Sequence, residues 1–449
     1  MRRLLWFRRD LRTEDNPLLS FGGEVLPIFI FDTNILQKLQ KDDRRVSYIF
    51  YYLSKLKEDL RFLGLDLKLF FGEPVAIIKE LQALYHFDEV LASGDYDAYA
   101  KQRDLEVSHI LHFRYLHDTY IFKHDAVLKD DGTPYYLFTP FYKKALQLLQ
   151  NKNFKALHLA SHTLINEAYK GIFSFDGLRF RALAFRIESL GFVAVSLEFQ
   201  TLQTKIEALK QKLQNYKEQR DFLDADATSH LSSELRFGVI GVRQLLRELL
   251  SHPHSEPFIR QLLFRDFYAY LLFHIPYLEN KNYKYGFNGI EDIKKYQNFC
   301  EAKTGVPIVD AGVRELLSSG DMHNRVRMIV ASFFTKDLLL PWQWGEAFFA
   351  QYLLDYDKAS NVLSWQWSAG TGVDPQPYFR VFNPYLQSKK FDKEALYIKR
   401  HIPELQHIEP KYLHDEASLF ALNLADYPKP MVHHKEAAKI AVEIFKKKM

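Results

Sequence analysis

The chain has 449 residues, 47% of them hydrophobic and 26% charged, enough apolar material for one large or two ordinary cores. Sixty Lys and Arg against 56 Asp and Glu leave a formal net charge of +4, which excludes both an acidic disordered chain and a histone-like polycation. One cysteine, Cys300, excludes a disulfide scaffold, an all-cysteine iron–sulfur cluster and a four-cysteine zinc site.

The opening dozen residues place Arg8 and Arg9 straight after a short apolar run, which is not the layout of a signal peptide. No apolar stretch reaches membrane-spanning length, so a cytoplasmic protein with no membrane partner is expected. Leu4–Phe7 and Val25–Phe31 are short continuous apolar runs, as buried parallel strands require. Between Arg44 and Leu63 the residues Val46, Ile49, Phe50, Leu53, Leu56 and Leu60 recur at helical spacing. Leu65–Phe71 predicts a strand, Glu73–Tyr85 a helix with Pro74 in its first turn, Glu89–Ala92 a strand and Ala98–Leu111 a helix. This alternation predicts an α/β N-terminal domain over residues 1–125, built on a parallel Rossmann-like sheet. No G-x-G-x-x-G follows the first strand and no G-x-x-x-x-G-K-[ST] occurs, which excludes dinucleotide and nucleotide triphosphate sites of those types.

Residues 126–199 hold Asp130-Asp131-Gly132-Thr133-Pro134 and scattered Ser and Gly with no sustained period, and read as an interdomain linker. From residue 200 the strands disappear. Leu202–Gln219, Gly241–Leu250, Pro257–Leu272, Val309–Leu317, Met328–Leu340 and Glu346–Leu354 read as helices, and residues 200–449 as a large all-α domain.

Four stretches carry chemistry. Thr228-Ser229-His230-Leu231-Ser232-Ser233, ahead of the helical run Leu235–Ile240, suits a helix start that holds an anion such as phosphate; plain capping is the alternative. Asp355-Tyr356-Asp357-Lys358-Ala359-Ser360-Asn361, followed by Trp365-Gln366-Trp367, is a polar and aromatic cluster, or else a helix end with surface acids and two core tryptophans. Met322–Met328 adds Arg325 and Arg327, and a buried Arg327–Asp355 pair beside a cofactor is expected. His323 has no second ligand at metal spacing, so no metal site is expected. Arg380, Lys389, Lys390, Lys393, Lys399 and Arg400 stand against only Asp392 and Glu394, near Trp367, Tyr378 and Phe379. That stripe fits phosphate contacts with base stacking, and equally a solvated basic face.

Taken together these stretches resemble the photolyase/cryptochrome family over nearly the whole chain, most closely its bacterial class I cyclobutane pyrimidine dimer photolyases. The resemblance rests on Leu5-Trp6-Phe7-Arg8-Arg9-Asp10-Leu11-Arg12, Lys303-Thr304-Gly305-Val306-Pro307-Ile308-Val309-Asp310-Ala311, Met322-His323-Asn324-Arg325, Trp365-Gln366-Trp367-Ser368-Ala369-Gly370-Thr371-Gly372 and Pro377-Tyr378-Phe379-Arg380-Val381-Phe382-Asn383-Pro384. It implies a non-covalent FAD in the helical domain. Tyr216, Thr228, Ser229, Leu231, Ser232 and Arg265 would hold its phosphates and chain; Asn324, Arg327, Asp355, Asp357, Asn361 and Trp365 would surround the ring, with Asn361 at flavin N5. The implied reaction is blue-light splitting of a cyclobutane pyrimidine dimer in UV-damaged DNA by an electron from excited reduced FAD; photolyases are counted among the base-flipping enzymes. Arg220, Arg325, Arg380 and Lys390 would meet DNA phosphates, and Trp367 and Met328 the flipped bases.

The chain departs from the family pattern in three places. Gln261 and Phe264 stand where bacterial members carry a lesion-contacting Glu and Trp. Trp365 and Trp342 match the first two members of the family's electron chain, but the outermost place is Phe299; Trp344 and Tyr296 are the nearby substitutes. Asp95–Asp104 resembles members holding a deazaflavin or flavin antenna more than folate binders, which carry an Asn-Glu pair where this chain has Tyr99-Ala100. A monomer with no obligate protein partner is expected. The resemblance runs almost to Met449, which leaves no signalling tail and ranks a cryptochrome photoreceptor second. A (6-4) photolyase ranks lower, because the eukaryotic kind has a His-His pair where this chain has His323-Asn324.

Overall fold

A computed structural model describes residues 1–150, 155–165, 173–175, 178–180, 186–286, 288–377 and 379–447. Five strands, β1 (Arg2–Phe7), β2 (Gly23–Asp32), β3 (Lys68–Gly72), β4 (Glu89–Ser93) and β5 (Phe113–Leu116), form a parallel sheet in the order 3-2-1-4-5. The helices α1 (Arg44–Phe62), α2 (Pro74–Tyr85) and α3 (Ala98–Ser108) connect them. Leu4, Leu26, Ile28, Ile77, Ile78 and Val90 are fully buried in the core, which is why the strands read as unbroken apolar runs rather than alternating ones. Asp43 caps α1 through Arg45 N, and Glu73 caps α2 through Val75 N and Ala76 N. Most of the remainder is helical. Its principal helices are α4 (Phe138–Gln150), α5 (Glu256–His274), α6 (Pro307–Ser319), α7 (Asn324–Ser332), α8 (Trp342–Tyr352), α9 (Lys358–Ala369), α10 (Pro384–Phe391) and α11 (His434–Lys447).

Contacts divide the chain into two compact units that interleave along the sequence. One is Met1–Val127, Lys144–Lys210 and His230–Asp266; the other is Leu128–Lys143, Gln211–Ser229 and Phe267–Met449. In the second unit α7 packs on α6 and α9, and α8 on α9. The stretch Lys303–Ala311 is a clamp: the Asp310 carboxylate accepts from Thr304 N, Thr304 Oγ1, Gly305 N and the Tyr427 hydroxyl at 2.5–3.0 Å. Gly305, at φ +74°, has no room for a Cβ, which would lie 2.4 Å from the backbone of Lys429.

Four readings of local structure need correction. Residues 126–199 are not without period: α4 buries Phe138, Phe141, Tyr142, Ala145 and Leu149 at helical spacing, and His162–Leu164 (β6) pairs with β2. The turn residues just before α4 masked that spacing. The run Leu235–Ile240 is not a helix; the helix covers only Ser232–Arg236, because Phe237 O accepts from Leu11 N and Gly238 (φ +63°) lies against Arg9. The helix read at Leu202–Gln219 breaks after Lys212 into single turns. The helix read from Met328 starts at Asn324, capped by His323, and widens into a π turn over Phe333–Asp337. Among the described residues no helix is long and apolar enough to cross a membrane.

That π turn points Lys336 and Asp337 at α11. Asp337 pairs with His434 Nδ1 at 2.5 Å. Lys336 is fully buried; its Nζ lies 3.4 Å from the Phe445 ring centroid and has no hydrogen-bond acceptor among the described residues. Burial lowers its pKa to about 7 from 10.5. The unfolded chain therefore binds more protons between those values, and stability falls as pH drops through that window and levels off below it. Lys336→Met is expected to raise unfolding free energy at pH 7 by on the order of 2 kcal/mol, and to flatten its slope between pH 7 and 10. Urea melts at both ends of that window check this.

Candidate active site

The second unit gathers most of the expected ring-binding residues on α7 and α9. His323 Nδ1 accepts from Arg325 N at 3.1 Å, which caps α7 and leaves the ring proton on Nε2. Burial pushes the His323 pKa down to about 4, so the imidazole is neutral. Arg327 donates to Asp355 at 3.0 and 3.1 Å, to Asp321 at 3.1 Å and through Nε to Met322 O at 2.7 Å. Burial works against its charge, but the two carboxylates outweigh it and hold the guanidinium protonated. Asn324 reaches Met328 Sδ at 3.9 Å one turn on. Arg325 pairs with Asp221 at 2.6 Å and lies 4.5 Å over the Phe391 ring.

On α9, Asp357 caps the helix through Ser360 N, and Asn361 and Trp365 follow one turn apart. Asn361 Nδ2 donates to both the main-chain oxygen and Oε1 of Glu346 at 3.0 Å, and Tyr356 donates to the same carboxylate at 3.1 Å. Those bonds fix the amide, so Oδ1 faces away from Glu346. Burial raises the Glu346 pKa, against the Asn361 and Tyr356 hydrogen bonds that lower it. Sequence reasoning missed Glu346; its one signal is a lone acid in the apolar stretch Trp342–Phe349. Trp365 is 1% exposed and packs against Gly345 of α8, where a Cβ would lie 2.2–2.8 Å from the indole. Its Nε1 is buried with no acceptor among the described residues. Trp342 is buried and donates to Asn282 at 2.8 Å, while Trp367 is half-buried beside Phe382.

The other expected residues are placed as follows. Tyr216 is buried under Arg220, and Lys212 holds Thr228 O at 3.1 Å, with Ser229 the next residue. Arg380, Phe379 and Lys390 are exposed, and Tyr378 lies outside the described residues. In the first unit, buried Leu231 precedes the short helix that begins at Ser232. Gln261 Nε2 donates to Pro257 O at 3.3 Å, and Phe264 stands under Arg260. Arg265 donates to Thr119 O at 2.6 Å and Leu235 O at 3.3 Å and lies 4.5 Å over Tyr120, so its guanidinium fastens backbone there.

The strand order reverses between β1 and β4, and the first unit's charged residues collect at their carboxyl ends. Arg8 pairs with Asp104 at 2.7 Å, Arg9 with Asp95 at 3.0 Å, and Tyr99 donates to Asp32 at 2.6 Å. Arg8 and Arg103 both lie over Trp6, at 4.6 and 4.9 Å. Arg8 Nε and Nη2 are buried and lack acceptors among the described residues. Among those residues no three His, Cys, Asp or Glu side chains form a metal-binding group.

Residues 3–159 match the model of the DNA photolyase family, and residues 258–447 match the FAD binding domain of DNA photolyase. The deoxyribodipyrimidine photo-lyase of Alkalihalophilus pseudofirmus is 34% identical over 473 residues, covering 98% of this chain and 97% of that protein. This chain belongs to the photolyase family. Among solved structures, a class III photolyase from Agrobacterium tumefaciens matches with a TM-score of 0.81 at 29% identity, covering 99% of this chain and 98% of that one. An archaeal photolyase from Sulfolobus tokodaii, described with two FAD molecules and a novel light-harvesting cofactor, matches over both full chains with a TM-score of 0.81 at 28% identity. The helical part is therefore an FAD-binding domain, and its polar groups suit a flavin: an unsatisfied indole N–H donor, an oriented amide oxygen acceptor and a charged guanidinium.

Gly345→Ala tests the seat of Trp365. In an open helix the change stabilises by roughly 0.5–1 kcal/mol; here it is expected to destabilise by about 1–3 kcal/mol, because the indole must move. The sign of the Tm shift decides.

Proposed function

We propose that this protein repairs cyclobutane pyrimidine dimers in DNA under blue light. The observation that carries the reading is the α7–α9 constellation, in which Asn361 and Trp365 line one face of α9 and the charged Arg327–Asp355 pair joins α7 to the turn before α9. Its placement in a photolyase FAD-binding domain supports the assignment. Bound there, FAD would supply the photoexcited electron that splits the dimer. Arg327, charged at every working pH, favours negative charge on the flavin ring, and Asp355 aims it. Asn361, gripped by Glu346, presents its amide to N5, and Trp365 borders the ring with Asn324 and Asp357. Tyr216, Thr228, Ser229, Leu231 and Ser232 hold the phosphates and chain, and Arg265 fastens the backbone at Thr119 and Leu235.

DNA phosphates meet Arg220, Arg325, Arg380 and Lys390. The flipped bases pack on Trp367, Met328 and Phe264, and Gln261 Oε1 accepts from a base while its Nε2 stays on Pro257. Gln261 brings no charge and Phe264 a smaller face than Trp, which weakens those two lesion contacts. Residues 1–125 serve as the antenna-type domain, 126–199 as the linker and 200–449 as the catalytic domain. A second chromophore, a deazaflavin or flavin before a folate, would satisfy the unpartnered Arg8 donors. The protein works as a cytoplasmic monomer.

The test is conversion of a defined dimer-containing oligonucleotide by pre-reduced protein under blue light, with a dark control. Product in the light alone is expected; none from protein that holds FAD overturns the reading and leaves a photoreceptor. Trp367→Ala is expected to weaken lesion binding by about 1–3 kcal/mol in a filter-binding assay. Glu346→Leu, which frees the Asn361 amide, is expected to perturb the FAD absorption bands, while Glu346→Gln keeps an acceptor and leaves them near wild type.

A further inference from the structure

We propose that Asp221 stands in for a DNA phosphate while this protein is free: it holds Arg325, yields it to the strand, and takes it back as repaired DNA leaves. The proposal rests on the repair reading above, in which Arg220, Arg325 and Lys390 meet phosphates, and concerns how tightly and how long DNA is held.

Those three cations come from distant parts of the chain and meet around one ring. Phe391, the buried last residue of α10, has the Arg325 guanidinium 4.5 Å and the Lys390 ammonium 5.0 Å from its centroid. Leu223 N donates to Phe391 O at 2.9 Å, which ties the segment after Arg220 to the same place. Phe222, exposed, lies 6.0 Å from the Phe391 ring. In that setting Asp221 accepts from Arg325 Nη2 at 2.6 Å and stands 3.9 Å from Arg220 Nε. One carboxylate thus faces two of the three cations.

This bond is of a kind that a phosphate can replace. Asp221 engages a single nitrogen of Arg325, whose Nε is buried with no acceptor among the described residues. Arg327 by contrast grips Asp355 through two nitrogens, and Arg314 grips Glu404 in the same way at 2.8 and 2.9 Å. The Asp221 side chain is 25% exposed and that of Arg325 15%, so water screens the pair, and screened single-contact pairs hold weakly. A phosphodiester offers the guanidinium two oxygens in the planar fork that it prefers. The carboxylate set free then takes up a cation from solution, which offsets part of the counterion release that drives DNA binding.

Phosphates carry no record of the lesion. Asp221 therefore loosens the hold on damaged and repaired strands alike. Its effect matters most after repair, when the flipped bases have left their pocket and phosphate contacts alone retain the product. Changes within one interface act mainly on dissociation, so Asp221 sets the rate of product release. It does this through Arg325, as a positioning residue.

Binding and dissociation of defined duplexes, with and without a dimer, by the FAD-loaded protein test this. Asp221→Asn should bind both duplexes about two- to fivefold more tightly, mainly through slower dissociation. Its affinity should also fall more steeply with salt. Asp221→Ser should behave as the Asn variant does, Asp221→Glu should return wild-type values, and Arg325→Ala should erase the gain of Asp221→Asn. FAD absorbance reports separately on folding in each variant. Unchanged or weaker DNA binding by FAD-loaded Asp221→Asn overturns the proposal and leaves the repair reading standing; wild type that holds FAD but makes no product in the light overturns both.

Discussion

The flavin site proposed for the helical unit depends on one close contact, the Trp365 indole against the bare backbone of Gly345. A Cβ at that position would overlap the ring, so α8 and α9 approach as near as they do only because a glycine stands there. The contact sets the register between the two helices. Asn361, one turn before Trp365, then meets Glu346, the residue after Gly345. A packing constraint of a few ångströms thus orients the amide that we propose faces the flavin.

Charge is handled by the same economy of position. Arg327 spends its donors on two carboxylates and a carbonyl, so the guanidinium stays ionised although it is largely enclosed. Asp310 is fully buried and accepts four hydrogen bonds that pin the Thr304–Gly305 turn to Tyr427. Lys336 is the exception: it is buried with a phenyl ring for company and no acceptor among the described residues. Its desolvation is a cost carried by the π turn that also places Phe334 among the aromatic rings.

Much of this was legible in the chain itself. Four of the five strands, β1 to β4, were legible from their apolar segments, while the short β5 (Phe113–Leu116) was not; α1 was legible from its apolar period and α2 from Pro74 in its first turn. The pairing of Arg327 with Asp355 was expected beside a cofactor, given a fold that brings the two segments together, and the structure forms it. The helix α4 was not legible, because turn residues just upstream drew attention from its aromatic period. The early end of the helix at Arg236 was not legible either: it depends on Leu11, more than 200 residues away in the chain, claiming the Phe237 carbonyl. Glu346 looked like one acid among many.

By itself the sequence determined the order of strands and helices, the family, and the residue types available for flavin and DNA chemistry. These are properties of short segments, written in periodicity, caps and local motifs. Only the tertiary structure decided which side chain orients Asn361, why Gly345 must lack a side chain, and that Phe334 and Phe349 are the rings packed against Trp365. Those are relations between residues remote in the chain, set by close packing, and no local pattern encodes them.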